Sequence, residues 1–156
     1  MKLYLVQHGE ARTKDQDSDR SLTDKGREDS EKTACFASEQ ARISVETVFH
    51  SGKKRSKETA EIMAAYLFPP KGIIQEQDLS PNDNPKIWAG RLSQEQKDVM
   101  VVGHLPHLSK LVSLLLTKND EQAPIGFKNS GIVCLQKDDN SNWLLSWLVI
   151  PEILGE

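Results

Sequence analysis

The sequence predicts an α/β domain of three layers, with a largely parallel central sheet flanked by helices. Apolar runs of strand character alternate with longer stretches of helical periodicity along most of the chain, which is the pattern of βα units. The most apolar run, Val99-Met100-Val101-Val102, shows no polar alternation, as a central parallel strand covered on both faces requires. Three strands also lead into a histidine at their carboxyl ends, where open α/β sheets place their chemistry.

The first strand, Leu3-Tyr4-Leu5-Val6, stops at Gln7-His8-Gly9-Glu10. The glycine after His8 reads as allowing a sharp turn and the approach of a ligand to the imidazole. Residues 11–20 are polar without periodicity and form a loop leaving the strand end. A helix is predicted over 25–40, with Thr23 as N-cap, Asp24 and Glu28 at the positive end of its dipole, and Gly26 weakening its start. Val45, Thr47, Val48 and Phe49 make a second strand that ends at His50-Ser51-Gly52. The helix 53–67 follows, with Ala60, Met63, Ala64 and Leu67 on one face, and Pro69-Pro70 stops it. Residues 73–79 read as a third strand, and residues 80–85, Ser-Pro-Asn-Asp-Asn-Pro, as a turn cluster before a helix through Trp88. The strand 98–103 runs into His104. A buried helix over 105–117 turns Leu108, Leu111, Val112 and Leu115 inward, and strands over 131–136 and 143–149 close the sheet.

A chain of 156 residues holds one domain with a full core, spanning 1–156, and is short for two. Twenty Lys and Arg against 23 Asp and Glu give a charge of -3, so nothing global attracts nucleic acid or an anionic membrane. An anionic substrate must be held by local cations. Cys35 and Cys134 match no metal-ligand spacing and read as reduced thiols. With no apolar stretch of bilayer-spanning length and no signal region, a soluble cytoplasmic protein is expected. Trp88, Trp143 and Trp147 read as packing residues, since no basic stripe accompanies them, and His50 and His107 as structural or solvent-facing.

The strand ends bring together Gln7-His8-Gly9, His50-Ser51-Gly52 followed by Lys53, Lys54 and Arg55, and Gly103-His104. Two histidines and an arginine, without a carboxylate or cysteine set for a metal, suit a phosphoryl group. Arginine offers a planar fork to its oxygens, one histidine can attack phosphorus, and the other can hydrogen-bond the transferring oxygens. No metal and no cofactor are expected.

These residues resemble the histidine phosphatase superfamily, also called phosphoglycerate mutase-like. Its Leu-Val-Arg-His-Gly-Glu signature appears as Leu5-Val6-Gln7-His8-Gly9-Glu10, and its Arg-Pro-Leu-Thr segment as Arg20-Ser21-Leu22-Thr23 with Gly26 after it. Its Ser-Pro-x-x-Arg-Ala-x-Gln-Thr-Ala motif is similar to residues 51–60, and its second histidine motif to Val101-Val102-Gly103-His104-Leu105-Pro106. Four motifs in order at strand ends make the resemblance specific, and short length with Ala11 after Glu10 looks most like the small SixA-type phosphohistidine phosphatases.

The resemblance implies a phosphoglycerate mutase-like fold and a metal-independent, two-step hydrolysis. His8 takes the phosphoryl group and water then cleaves the phosphoramidate, while Arg55 and His104 clamp the phosphoryl oxygens. The implied partner is a phosphorylated protein of the histidine-phosphotransfer type. His8 must attack as neutral imidazole, so a hydrogen bond should fix its other ring nitrogen. Where the family has an arginine before the nucleophile, this chain has Gln7, which belongs to the expected phosphate-binding set but lacks the charged fork. A lost charge-assisted hydrogen bond of about 1.5–3 kcal/mol slows a reaction by roughly one to two orders of magnitude if it acts in the transition state. The chain is then a slow enzyme, or Arg12 or Arg20 replaces the charge. Asp83 is the foremost candidate acid for a small phosphate monoester, the alternative substrate, with Glu76 and Asp78 behind it. A phosphohistidine-binding module is the alternative that Gln7 motivates.

Overall fold

Neighbouring residues on a strand point to opposite faces of the sheet, and here both faces are covered. In a computed structural model describing residues 1–155, the strands are β1 (Lys2–Gln7), β2 (Thr47–His50), β3 (Ile73–Gln75), β4 (Val99–Gly103), β5 (Ile132–Lys137) and β6 (Trp143–Val149). They form one six-stranded sheet in the order β3-β2-β4-β1-β5-β6. The helices are α1 (Asp24–Glu39), α2 (Lys54–Leu67), α3 (Pro85–Gln94) and α4 (His107–Thr117). Leu3, Leu5, Val99 and Val101 pack with Trp88 and Leu92 of α3 and Leu108 and Leu111 of α4. Tyr4, Val6, Met100 and Val102 pack with Ala34 and Ala37 of α1 and Ala60 and Met63 of α2. Burying one such large apolar side chain contributes about 1.5–3 kcal/mol, which explains why β1 and β4 read as unbroken apolar runs.

Four strands are parallel: β1 pairs with β4, β4 with β2, and β2 with β3. At the other edge β5 runs antiparallel to β1 and β6 antiparallel to β5, as two strands joined by a short turn without a crossover helix must. In register, Gln7 lies opposite Gly103 and His50 opposite Val102. The carboxyl ends of β1, β2 and β4 are therefore level.

Several boundaries differ from the sequence expectation. β3 ends at Gln75, before the expected 79, because the chain leaves the sheet into the Ser80 turn, closed by Asp83 Oδ2 accepting the Ser80 N–H at 2.9 Å. α3 runs on to Gln94, capped by the Asn84 side chain on the Lys86 N–H at 3.0 Å with Pro85 in its first turn. α4 begins at His107 because Pro106 occupies its N-cap. On α2 the buried face holds Ser56, Thr59 and Ile62 as well as Ala60 and Met63, while Ala64 and Leu67 are only part-buried. Among the described residues no helix is long and apolar enough to cross a membrane.

Candidate functional site

Once past the sheet, the main chain at the end of β1 is held by groups distant in sequence. The Ser130 N–H donates to the Gln7 carbonyl at 2.9 Å, and Asn129 Nδ2 donates to the His8 carbonyl at 2.9 Å. The Gly9 N–H donates to Thr59 Oγ1 at 2.9 Å, and the same hydroxyl donates to the Arg55 carbonyl at 2.8 Å. One threonine thus ties the His8 segment to the first turn of α2, which carries Arg55. The two glycines nearby serve packing. A Cβ on Gly9 would lie 2.8 Å from both the Gly26 carbonyl oxygen and Ser30 Oγ, and one on Gly26 would lie 2.1 Å from the Glu10 carbonyl oxygen. The open side of Gly9 therefore faces α1 and not a ligand, correcting the expectation from sequence. Gly26 is what lets α1 dock against the chain leaving β1, with Thr23 Oγ1 capping by accepting the Gly26 N–H at 2.9 Å.

His8 Nδ1 lies 2.7 Å from the Gly9 carbonyl, which can only accept, so Nδ1 carries the proton and Nε2 keeps its lone pair. Burial lowers the His8 pKa to about 4; the Gly9 hydrogen bond opposes this, and the charges of Arg55 and Arg20 add to it. At neutral pH His8 is a neutral imidazole with a free nucleophilic nitrogen. The His104 ring lies 5.0 Å from the His8 ring, centroid to centroid. Its Nε2 is 2.7 Å from Ser51 Oγ, and the same oxygen accepts the Lys53 N–H at 3.3 Å while keeping a proton it can give. With Ser51 donating, the His104 proton sits on Nδ1. Burial, then the charges of His8, Arg55, Lys53 and His107, hold His104 far below the ordinary imidazole range.

Three of the expected phosphate-binding residues each hold a buried polar atom with no partner: Gln7 Oε1, Arg55 Nε and His104 Nδ1. Buried polar groups are otherwise almost always paired, and a phosphoryl group supplies acceptors for the Arg55 and His104 donors. Gln7 reaches the same need differently: turning its amide by 180° exchanges Oε1 for Nε2 and offers a neutral donor.

Residues 3–81, which carry His8, Arg20 and Arg55, match the family model of the histidine phosphatase superfamily, branch 1. The chain belongs to the histidine phosphatase superfamily. It is similar to the protein histidine phosphatase SixA, solved with tungstate, at 25% identity over 99% of each chain with a TM-score of 0.86. The alpha-ribazole phosphatase of Shigella flexneri matches at 15% identity over 97% of each chain with a TM-score of 0.77. A Plasmodium falciparum phosphoglycerate mutase matches at 18% identity, covering 94% of this chain and 88% of that one, with a TM-score of 0.70. The last two likenesses show the fold, the phosphoglycerate mutase-like one. None of the curated protein sequences matches the chain.

In this histidine phosphatase superfamily member the other expected residues fall as follows. Arg20 lines a cleft of about 720 Å³ with Lys53, Lys54 and Arg55, and its Nε donates to the Arg12 carbonyl at 3.0 Å. Arg12 is used within the loop, its Nη1 donating to Ser21 Oγ at 2.9 Å and to the Leu22 carbonyl. Of the two cations weighed as substitutes for the missing arginine, Arg20 is the one whose charge reaches His8 and Arg55. Asp83 caps the Ser80 turn, and its charge acts on His107. His50 is buried, accepting the Gly52 N–H on Nδ1 at 3.0 Å. His107 is fully buried with neither ring nitrogen paired, so its expected solvent-facing alternative does not hold. Among the described residues no group of three or more His, Cys, Asp or Glu is placed to hold a metal. Thr59, Asn129 and the Ser51 hydroxyl were not singled out from sequence; Ser51 and Thr59 lie inside the family motif of residues 51–60, whereas Asn129 lies outside every motif.

Proposed function

We propose that this superfamily member is a metal-independent phosphatase that hydrolyses phosphohistidine in a protein, through a phosphohistidine intermediate on His8. The observation that carries the reading is the neutral His8 tautomer, Nδ1–H bonded to Gly9, beside the unpaired Arg55 Nε and His104 Nδ1. His8 Nε2 attacks phosphorus as the bond from phosphorus to the substrate imidazole breaks, and water then displaces phosphate from His8. The Arg55 fork, the His104 Nδ1–H and the Gln7 amide hold the phosphoryl oxygens, while Arg20 adds positive potential. An imidazole leaving group, with a reference pKa of about 6.5, departs with far less help from an acid than an alkoxide does. Asp83, the foremost acid for a phosphate ester, is engaged as a turn cap, which favours the phosphoramidate. The partner is a phosphorylated protein of the histidine-phosphotransfer type, and the free thiols Cys35 and Cys134 support a reducing, cytoplasmic setting.

The test is trapping. The chain is incubated with a protein phosphorylated on histidine and quenched under alkaline conditions; acid-labile phosphate on His8 and release of inorganic phosphate are expected. Tight binding without either would make the chain a phosphohistidine-binding module. Turnover confined to sugar or nucleotide monophosphates, and lost in Asp83→Asn, would make it an ester phosphatase.

A further inference from the structure

Resting on the phosphohistidine reading, a second recognition element lies beside the phosphate site. The cleft of about 720 Å³ is lined by Lys14, Arg20, Lys53, Lys54, Arg55 and Lys57, six cations on the wall of a chain whose net charge is -3. Three acids share the cleft: Asp19, Glu58 and Glu61. Glu58 is already committed, accepting the Leu22 N–H at 3.0 Å and pairing with Arg27 at 2.6 Å. The ion pairs among the described residues are Lys25–Asp29, Arg27–Glu58, Lys71–Glu46 and Arg91–Glu76, so no cleft cation takes part in one. The lysines are exposed, which leaves their charges free to meet a partner.

We infer that this cleft reads acidic side chains flanking the phosphohistidine of a protein substrate. At roughly 30 Å³ per water the cleft holds some two dozen waters' worth of space, far more than one phosphoryl group needs. Small-molecule pockets are walled mainly by apolar and aromatic side chains, and none lines this one. A single-stranded nucleic acid would seek aromatic stacking platforms along a continuous cationic track, whereas Asp19 and Glu61 interrupt this track and no ring lines it. Lysines from two walls, Lys14 on the loop after β1 and Lys54 and Lys57 on the first turns of α2, suit carboxylates on a folded surface. Such complementarity speeds encounter and rejects neutral or basic partners.

Two phosphohistidine peptides, one flanked by Asp and Glu and one by Ser and Gly, are compared on the full chain and on the triple variant Lys14→Gln/Lys54→Gln/Lys57→Gln. At about twofold per exposed charge pair, the unsubstituted chain should prefer the acidic peptide by roughly tenfold in kcat/KM at low salt. The triple variant should lose that preference through KM, and about 1 M salt, with a Debye length near 3 Å, should erase it in the unsubstituted chain. Absence of the preference, or its survival in the variant, overturns the inference. Should the triple variant fail to fold, Lys57→Gln alone should cut the preference about twofold. If neither peptide is hydrolysed, the phosphatase reading fails separately, and the cleft is judged by NMR titration with the unphosphorylated acidic peptide. Shifts at the cleft that vanish in the variant then support it, and no shifts refute it. Tighter binding of a short oligonucleotide than of the acidic peptide overturns the choice of partner.

Discussion

Acidification tests the state of His8 in two independent ways. Its pKa in the folded chain is about 4, against the ordinary imidazole value of 6.5, and the largest cause is burial. Between those two values the unfolded chain binds a proton at this position and the folded chain does not. The contribution of His8 to stability is therefore complete above pH 6.5 and is lost as the pH falls toward 4. At 1.36 kcal/mol per unit, this shift corresponds to about 3 kcal/mol lost in full only below the folded value. His104, His107 and His50 are also lowered by burial and add in the same direction. Urea unfolding at pH 8, 6 and 4.5 should give a falling midpoint, with most of the fall between 6 and 4.5. The rate of His8 phosphorylation in a single turnover should hold down to roughly pH 5 and turn over near 4. An acid limb near 6.5, with a urea midpoint unchanged from pH 8 to 4.5, would refute the buried neutral imidazole.

Gln7→Arg should raise the single-turnover rate by roughly tenfold, the lower end of what one charge-assisted hydrogen bond supplies. Arg20→Gln should slow the unsubstituted chain by a similar factor and the Gln7→Arg chain by much less; additive effects would show that Arg20 does not stand in for the missing arginine. Thr59→Val keeps the shape but leaves the buried Gly9 N–H unpaired, and should lower unfolding free energy by about 1–3 kcal/mol while slowing His8 phosphorylation more than it weakens phosphate binding. His107→Leu removes a buried imidazole whose two nitrogens are unpaired and should raise the urea midpoint, by about 1 kcal/mol in free energy; a drop would show that the ring has a partner.

Much of this was legible because local chemistry and tertiary demand agree. The Thr23 cap, the bounds of β6 and the unbroken apolar β4 follow from cap preference, alternation and two-sided burial. The sequence pattern carries β3 on to Leu79 because that residue is apolar and fully buried, yet Leu79 lies on a loop packed under α3 and not on a strand. Burial alone does not distinguish the two. Gly26 looked like a weak helix start because propensity sees only its own helix, while its reason is the Glu10 carbonyl oxygen that a Cβ would strike. The supports of the site were the least legible part. Thr59 meets Gly9 across 50 positions and Asn129 meets His8 across 121, and no periodicity encodes such pairs.

The fate of Gln7 follows from what surrounds it. An arginine there would join Arg55 and Arg20 beside two buried histidines, and the pKa of Arg55 is already pulled down by burial and then by the Arg20 charge. In the empty site a third guanidinium adds repulsion, which only a bound dianion relieves. A neutral amide avoids that repulsion and gives up part of the transition-state charge stabilisation. That loss matters most where the leaving group is poor and less where an imidazole departs. On the proposed reading, a phosphate clamp without the family arginine, the Asp83 carboxylate bonded to the Ser80 N–H and the unpaired lysines beside the site point the same way. On that reading, binding energy moves from the phosphoryl group to the protein surface around it. Gln7→Arg should then improve phosphoramidate, the bare phosphoryl donor, by a larger factor than the acidic phosphohistidine peptide, and an equal gain on both would place all recognition at the phosphate.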